Sequence, residues 1–341
     1  MPAFAAGARL SIHRSAIAGA ALVGALLALA VAGPCFAHHG PLESDFARGA
    51  SGGGMPVGPS PWFPLGADRL FRDVLARLAW AGRLSLLVGV SAALLATAIG
   101  ALVGLAAGWN EGGRVRVPWW AVLGFGTGAA MLGIAGFGVA LAALAAIAVG
   151  AAARALSRRW SRLASGVPTD LDGLLMRLVD VLLAFPFLLL AMAIGAALDH
   201  TSGVTLFWTL GGTGWLGIAR VVRAKTLQIR SLGYVTAARA LGQSPGMVLW
   251  RHVLPGVSGV LLVSATTLVA QMLLAESALS YLGAGISPPT PTLGRMLFEG
   301  QEDWAGAPWL VAAPGTAIVL GVWGFHLLGE GLRDALDPPG R

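Results

Sequence analysis

Apolar runs of bilayer length constrain this chain more than any other feature. A helix crossing the ~30 Å hydrocarbon layer needs about 20 apolar residues, and runs near that length cover about 16–33, 84–108, 178–198, 205–222, 257–276 and 308–328. A further stretch, Pro118 to Ala153, carries no charge. As one helix it would be about 54 Å long at ~1.5 Å per residue, too long for one span and enough for two short ones. Only 11% of the residues are charged, against roughly 25% in soluble domains. The expected fold is therefore all-α, a polytopic bundle of about eight spans in which six core spans are joined by an inserted hairpin.

Charge placement orients the spans, because Lys and Arg concentrate on the cytoplasmic side. Of the 23 basic residues, all but Lys225 are Arg, and many flank apolar runs. This favours topology charges over nucleic-acid binding. Arg114 and Arg116 precede the uncharged stretch, while Arg154, Arg158, Arg159 and Arg162 follow it. Both of its ends should be cytoplasmic, which predicts a hairpin inserted at about 112–170, turning near "GIAGFG" (133–138). Segment 219–255 holds six bases and no acid and reads as cytoplasmic. Segment 276–307, with Glu276, Glu299, Glu302 and Asp303 against Arg295, reads as outer.

Residues 1–83 comprise a first apolar helix and an outer segment. The helix reads as a retained span or, given Arg9, Arg14 and "CFA" before His38, as a signal peptide with its cleavage site. In "DRLFRDVLARLAWAGRL" (68–84), Leu70, Val74, Leu75, Leu78 and Ala81 recur at helical spacing, which predicts an amphipathic helix on the outer surface. The core of the bundle then occupies 84–341.

Several machineries are missing. A Walker A loop places a lysine after its last glycine, but Lys225 follows Ala224. "GFGTG" (124–128), "GGTGWLG" (211–217) and the two overlapping GxxxG steps of "GALVGLAAG" (100–108) lie inside apolar runs and read as close helix contacts. No ionisable residue falls near a span centre, where proton-driven carriers place them. Asp180, one turn after Arg177, reads as a surface ion pair. Glu276 reads as an anchor at the outer boundary or as a gate-side contact, and His326 as an interfacial histidine. His38 and His39 make a weak metal signal without further ligands, so neither a metal nor a cofactor is assigned. Cys35 is the single cysteine, which excludes an intramolecular disulfide.

One polar, basic stretch interrupts the apolar pattern: "YVTAARALGQSPGMVLWRHVLP", residues 234–255, within a cytoplasmic segment 225–255. Tyr234, Ala237, Ala238 and Leu241 fall at i, i+3, i+4 and i+7, an apolar stripe with small residues at its middle. Gly242 supplies a helix stop, Ser244 and Pro245 an N-cap and first turn. Pro255 should end the second helix. A short helix, a corner and another short helix suit insertion into a partner's groove; a helix pair lying on lipid fits the same spacing.

The stretch resembles the coupling motif of ABC importer permeases, E-A-A, three residues, G, nine residues, I-x-L-P. Ala237, Ala238, Gly242, Leu254 and Pro255 match it, whereas Thr236 replaces the glutamate and His252 the isoleucine. "LGADRLFRDVLARLAWAGRLSLLVG" (65–89), "MRLVDVLLAFPFLLLAMAI" (176–194), "LAESALSYLGAGISPPTPTLGRML" (274–297) and "LLGEGLRDALDP" (327–338) are similar to the dipeptide, oligopeptide and nickel permease group, in its C-type subunit. Between Gly112 and Asp170 the likeness stops.

That resemblance implies a non-enzymatic subunit of the bacterial inner membrane, with no nucleic-acid partner, that forms a solute pathway with a second, homologous permease. Two cytoplasmic ATPases would bind the ATP, and a periplasmic solute-binding protein would deliver a peptide or a related small solute such as a nickel chelate. Thr236, Ala237, Ala238, Arg239, Gly242, Leu254 and Pro255 are the implied ATPase-coupling residues. The insert would pack against lipid or dock an extra subunit. A secondary carrier or channel and a membrane scaffold are the rival classes.

Overall fold

The computed structural model describes residues 14–51, 54–110, 114–117, 167–197 and 202–336. The inserted hairpin expected at 118–153, with its "GFGTG" run, lies outside these residues. Helix α1 spans Arg14–Phe36 and α2 spans Val74–Trp109; strand β1 (Arg114–Val117) pairs with β2 (Val167–Asp170); α3 is Leu171–Leu183, α4 Phe187–Ala197 and α5 Gly203–Arg230. Two short helices follow, α6 (Gly233–Ala240) and α7 (Pro245–Val248), then α8 (Leu254–Tyr281), α9 (Leu293–Gly300) and α10 (Trp309–Leu336). The two strands run antiparallel, with Arg114 opposite Asp170. Both ends of the 118–166 excursion therefore meet at one place, the base that a paired insertion requires.

Among the described residues, four helices are long and apolar enough to cross a bilayer: α1, α2, α10 and the unbroken Pro245–Tyr281 rod that contains α8. The run expected as one span at 178–198 is instead a pair, α3 and α4, bent by 89° at Ala184–Pro186. Pro186 lacks the N–H that would continue the α3 ladder, and the residue before a proline avoids helical φ/ψ. Helix α5 is diluted by Thr205, Thr209, Gly211, Gly212 and Thr213. It lies within the bundle against α2 and α8, where neighbouring helices replace lipid.

The α2–α5 seam is the most extensive helix contact among the described residues. A Cβ on Gly100 would lie 2.8 Å from the Trp215 carbonyl oxygen, one on Gly104 2.5 Å from that of Ala219, and one on Gly108 2.9 Å from that of Arg223. The GxxxG steps are thus a backbone-to-backbone face. In "GGTGWLG", Gly211 meets Leu95 and Gly214 meets Met272, while Gly212 and Gly217 face open space. Helix α1 packs into the same bundle: a Cβ on Gly19 would come within 2.6 Å of the Leu328 nitrogen of α10. Pro34 removes the N–H that would bond Ala30 within α1, and the Arg83 guanidinium of α2 donates to that freed carbonyl and to Val31.

The outer end departs from the expected surface helix at 68–84. Residues 66–73 form a tight turn, and α2 begins only at Val74, capped by the Asp73 carboxylate, which accepts from Leu75 N at 2.8 Å. Val74, Leu75, Leu78 and Ala81 are buried in the bundle and Leu70 alone is exposed. Helical spacing is common to a surface helix and to the end of a span, and the arginines that suggested water instead find protein partners. Arg77 is buried between Asp68 and Glu299, bonding Glu299 at 2.9 Å; Arg72 bonds Asp68 at 2.7 Å and Arg295 bonds Glu299 at 3.1 Å. Arg69 reaches Glu302 at 2.6 Å and also pairs with Asp303, whose carboxyl it holds below the usual carboxylate range. This ionic cluster joins the two segments expected at the outer face.

Glu276 lies inside the bundle rather than at a boundary with water. It is fully buried, accepting from Ser85 of α2 at 2.6 Å and from Ser280 at 3.0 Å, and so ties α8 to α2. Gly104→Val should force α2 and α5 apart, an overpacking cost of about 1–3 kcal/mol or more. The expected result is a lower melting temperature in detergent and less protein in the membrane, with Gly212→Val unaffected. Equal melting of the two variants would contradict the seam.

Candidate coupling site

The inner end of the seam builds the helix–corner–helix element. Helix α2 ends at Trp109 with carbonyls that have no partner within the helix. Arg230, in the last turn of α5, donates to Gly108 O at 3.2 Å and Trp109 O at 2.9 Å. A cation there also meets the negative end of the helix dipole. The chain then turns through Ser231 and Leu232 into α6. Thr236 Oγ1 donates back to Leu232 O at 3.2 Å, and the Arg239 guanidinium lies over the Trp109 ring, 5.4 Å from its centroid. Arg230 thus ties the end of α5, and Arg239 ties α6, to the end of α2.

The corner is a Schellman motif. Gly242 N donates to Arg239 O at 3.0 Å and Gln243 N to Ala238 O at 3.2 Å, with Gly242 at φ +81°. A side chain on Gly242 would meet nothing within 4 Å, so its cost would lie in the left-handed backbone alone. Ser244 caps α7 by accepting from Met247 N at 3.4 Å, with Pro245 in the first turn. The structure thus forms the corner that Gly242, Ser244 and Pro245 signalled.

Pro255 behaves otherwise than expected. It does not end the second helix but sits at the second position of α8, within the 37-residue rod Pro245–Tyr281. A π turn, Leu249–Val253, precedes it, and Leu254 N donates to Leu249 O in an i→i−5 bond. The widened turn accommodates the proline ring and its missing N–H. Leu254 and Pro255 therefore weld α7 to the membrane helix.

The predicted apolar stripe divides. Ala238 turns inward and is only 6% exposed, beside Val235, Val248, Val253 and Val257 of the core. Tyr234, Thr236, Ala237, Arg239 and Gly242 are exposed. The largest exposed groups are Leu241 at 83% and Trp250 at 74%, with Met247 half exposed. Trp250 and Met247 were not singled out by the motif; the π turn re-aims residues after 248, and spacing alone does not reveal that. His252 Nε2 lies 3.2 Å from Gln243 Oε1, which braces the corner.

Charge on this face is thinner than the sequence implied. Asp180 bonds Arg220 of α5 at 2.5 Å rather than Arg177, and Asp172 bonds Arg223 at 2.5 Å. A residue one helical turn away competes poorly with one on a helix packed alongside. His326 lies 3.4 Å from Glu330 at the surface of α10.

Helices of bilayer length that run into an exposed helix–corner–helix make this a polytopic membrane bundle by architecture. Residues 162–339 match the family model described as binding-protein-dependent transport system inner membrane component. The chain is 30% identical over 331 residues to the dipeptide transport system permease protein DppC of Bacillus subtilis, covering 97% of this chain and 83% of the relative. It is 31% identical over 285 residues to the glutathione transport system permease protein GsiD of Pectobacterium atrosepticum, covering 82% and 74%. For GsiD of Escherichia coli the identity is 34% over 282 residues. The chain belongs to the binding-protein-dependent permease family and is a membrane subunit of an ABC importer in the bacterial inner membrane. Such components work with ATPase and substrate-binding partners.

Arg230→Ala should leave the Gly108 and Trp109 carbonyls without their donor, a loss of about 1–3 kcal/mol locally. Hydrogen exchange should then quicken at 104–110 and 231–240 in parallel. Unchanged exchange at both segments would refute the fastening.

Proposed function

We propose that segment 225–255 receives the stroke of a cytoplasmic ATPase and that the transported solute is a peptide. In this reading Thr236, Ala237, Arg239 and Gly242 meet the ATPase groove, while Ala238 seats α6 on the bundle. Leu254 and Pro255 pass the movement into α8. The observation that carries the reading is the pair of exits from one exposed corner: α6 rests on the end of α2 through Arg239 and leads back to an α5 end that Arg230 ties to α2, and α7 is continuous with α8. A push on the corner would move two membrane helices together and rock the bundle between access states. Thr236 stands where the coupling motif has glutamate, so the contact would rest on shape rather than on an ion pair at that position.

The assembly would contain a second, homologous permease, two ATPases and a periplasmic solute-binding protein, embedded in lipid. The ATP would be held by the ATPases, since the single lysine, Lys225, follows alanine rather than glycine. The chain itself would carry out no covalent chemistry. A peptide solute is favoured over a nickel chelate because the relatives are named for dipeptide and glutathione transport.

Gly242→Val should leave the subunit at normal abundance, since nothing crowds that position and the backbone strain falls on the exposed corner outside the bundle, yet abolish uptake and uncouple ATP hydrolysis. The check is co-purification from native membranes, with ATPase activity and peptide uptake measured beside the parent. Normal uptake by the variant would overturn the assignment.

A further inference from the structure

The 89° break between α3 and α4 leaves a cavity of about 440 Å³ between that pair, α5 and α8. Its walls are mainly apolar, including Leu183, Phe187 and Met272, and no ionisable side chain lines it. Four polar residues break the apolar lining. Ser264, Thr267 and Gln271 recur at i, i+3 and i+7 along α8, and Thr213 faces them from α5. The Thr267 and Thr213 hydroxyls donate to their own helices, to Val263 O at 3.1 Å and Thr209 O at 2.7 Å. Their oxygens keep acceptor capacity. Gln271 is exposed, and its amide has no hydrogen-bond partner among the described residues. It lies well inside a membrane helix, where an unpaired polar group facing lipid costs several kcal/mol. On the opposite side of the same helix stands Leu262, exposed and apolar as a lipid face requires.

We propose that this cavity is the chain's share of the translocation passage, and that Gln271, Thr267, Ser264 and Thr213 hydrogen-bond the uncharged amide backbone of the passing solute. The proposal rests on the importer reading. A passage that offers amide and hydroxyl groups but no fixed charge recognises what all short peptides share, and it does not discriminate between side chains of opposite sign. The break at Pro186 has a role in this account, since a straight α3–α4 span would fill the space.

The test uses the complete transporter in proteoliposomes. With Cys35, the single cysteine, replaced by serine, Gln271→Cys should react with a membrane-impermeant maleimide and Leu262→Cys should not. An unreactive position 271, or equal reaction at both, would overturn the passage. In the second arm, Gln271→Glu should raise uptake of a cationic dipeptide relative to an anionic one about fivefold or more, because a fixed charge in a poorly screened site acts on the solute directly. An unchanged ratio with intact uptake would overturn solute contact at Gln271. If the parent transporter imports neither dipeptide, the peptide reading fails by itself, and maleimide labelling still decides the passage.

Discussion

Backbone contact between α2 and α5 is the constraint on which the rest of this molecule depends. Lipid tails are as apolar as leucine, so burial offers little to hold membrane helices together, and close packing must do it. Gly100, Gly104 and Gly108 let α5 approach until side-chain atoms on α2 would collide with its carbonyls. That proximity delivers Arg230 to the end of α2, and Arg230 in turn sets where α6 begins. Helix α8 joins the same pair, with Leu273 against Gly89 and Met272 against Gly214.

The two ends of the bundle are finished differently. On the outer side, Arg77, Asp68 and Glu299 form a buried ionic cluster, and breaking one partner of such a cluster strands a buried charge. Glu276 and Ser85 add a hydrogen bond between α2 and α8 below it. These contacts make the outer end stiff. On the inner side, the fastening is a few hydrogen bonds and one ring stack, with Leu241 and Trp250 left uncovered. A bundle clamped at one end and presenting an open corner at the other is suited to rigid-body rocking driven from the open end.

Much of this was legible in the sequence where local rules suffice. The glycine period of 100–108 identified the seam, and Gly242-Gln243-Ser244-Pro245 spelled the corner. Three of the departures share one cause, which is competition from partners distant in sequence. Residues 68–84 have the pattern of a surface helix, but Glu299, more than 200 residues on, takes Arg77 inward. Asp180 prefers Arg220 on a packed neighbour to Arg177 on its own helix, and Glu276 finds Ser85. Pro255 was misread for a local reason, since a π turn can absorb a proline and no spacing rule announces one. The cavity beside Gln271 escaped because it needs the break at Pro186, which a run of apolar residues from 178 to 198 conceals.

The central claim is that the exposed corner is read by an ATPase. It is tested most directly by placing a photo-crosslinking amino acid at Leu241, irradiating intact cells, and identifying the adducts by mass spectrometry. The account predicts a dominant crosslink to an ABC ATPase, with yield that changes when ATP hydrolysis is trapped. Crosslinks to lipid alone, from a subunit present at normal abundance, would contradict it and leave the corner as a helix pair resting on the membrane surface.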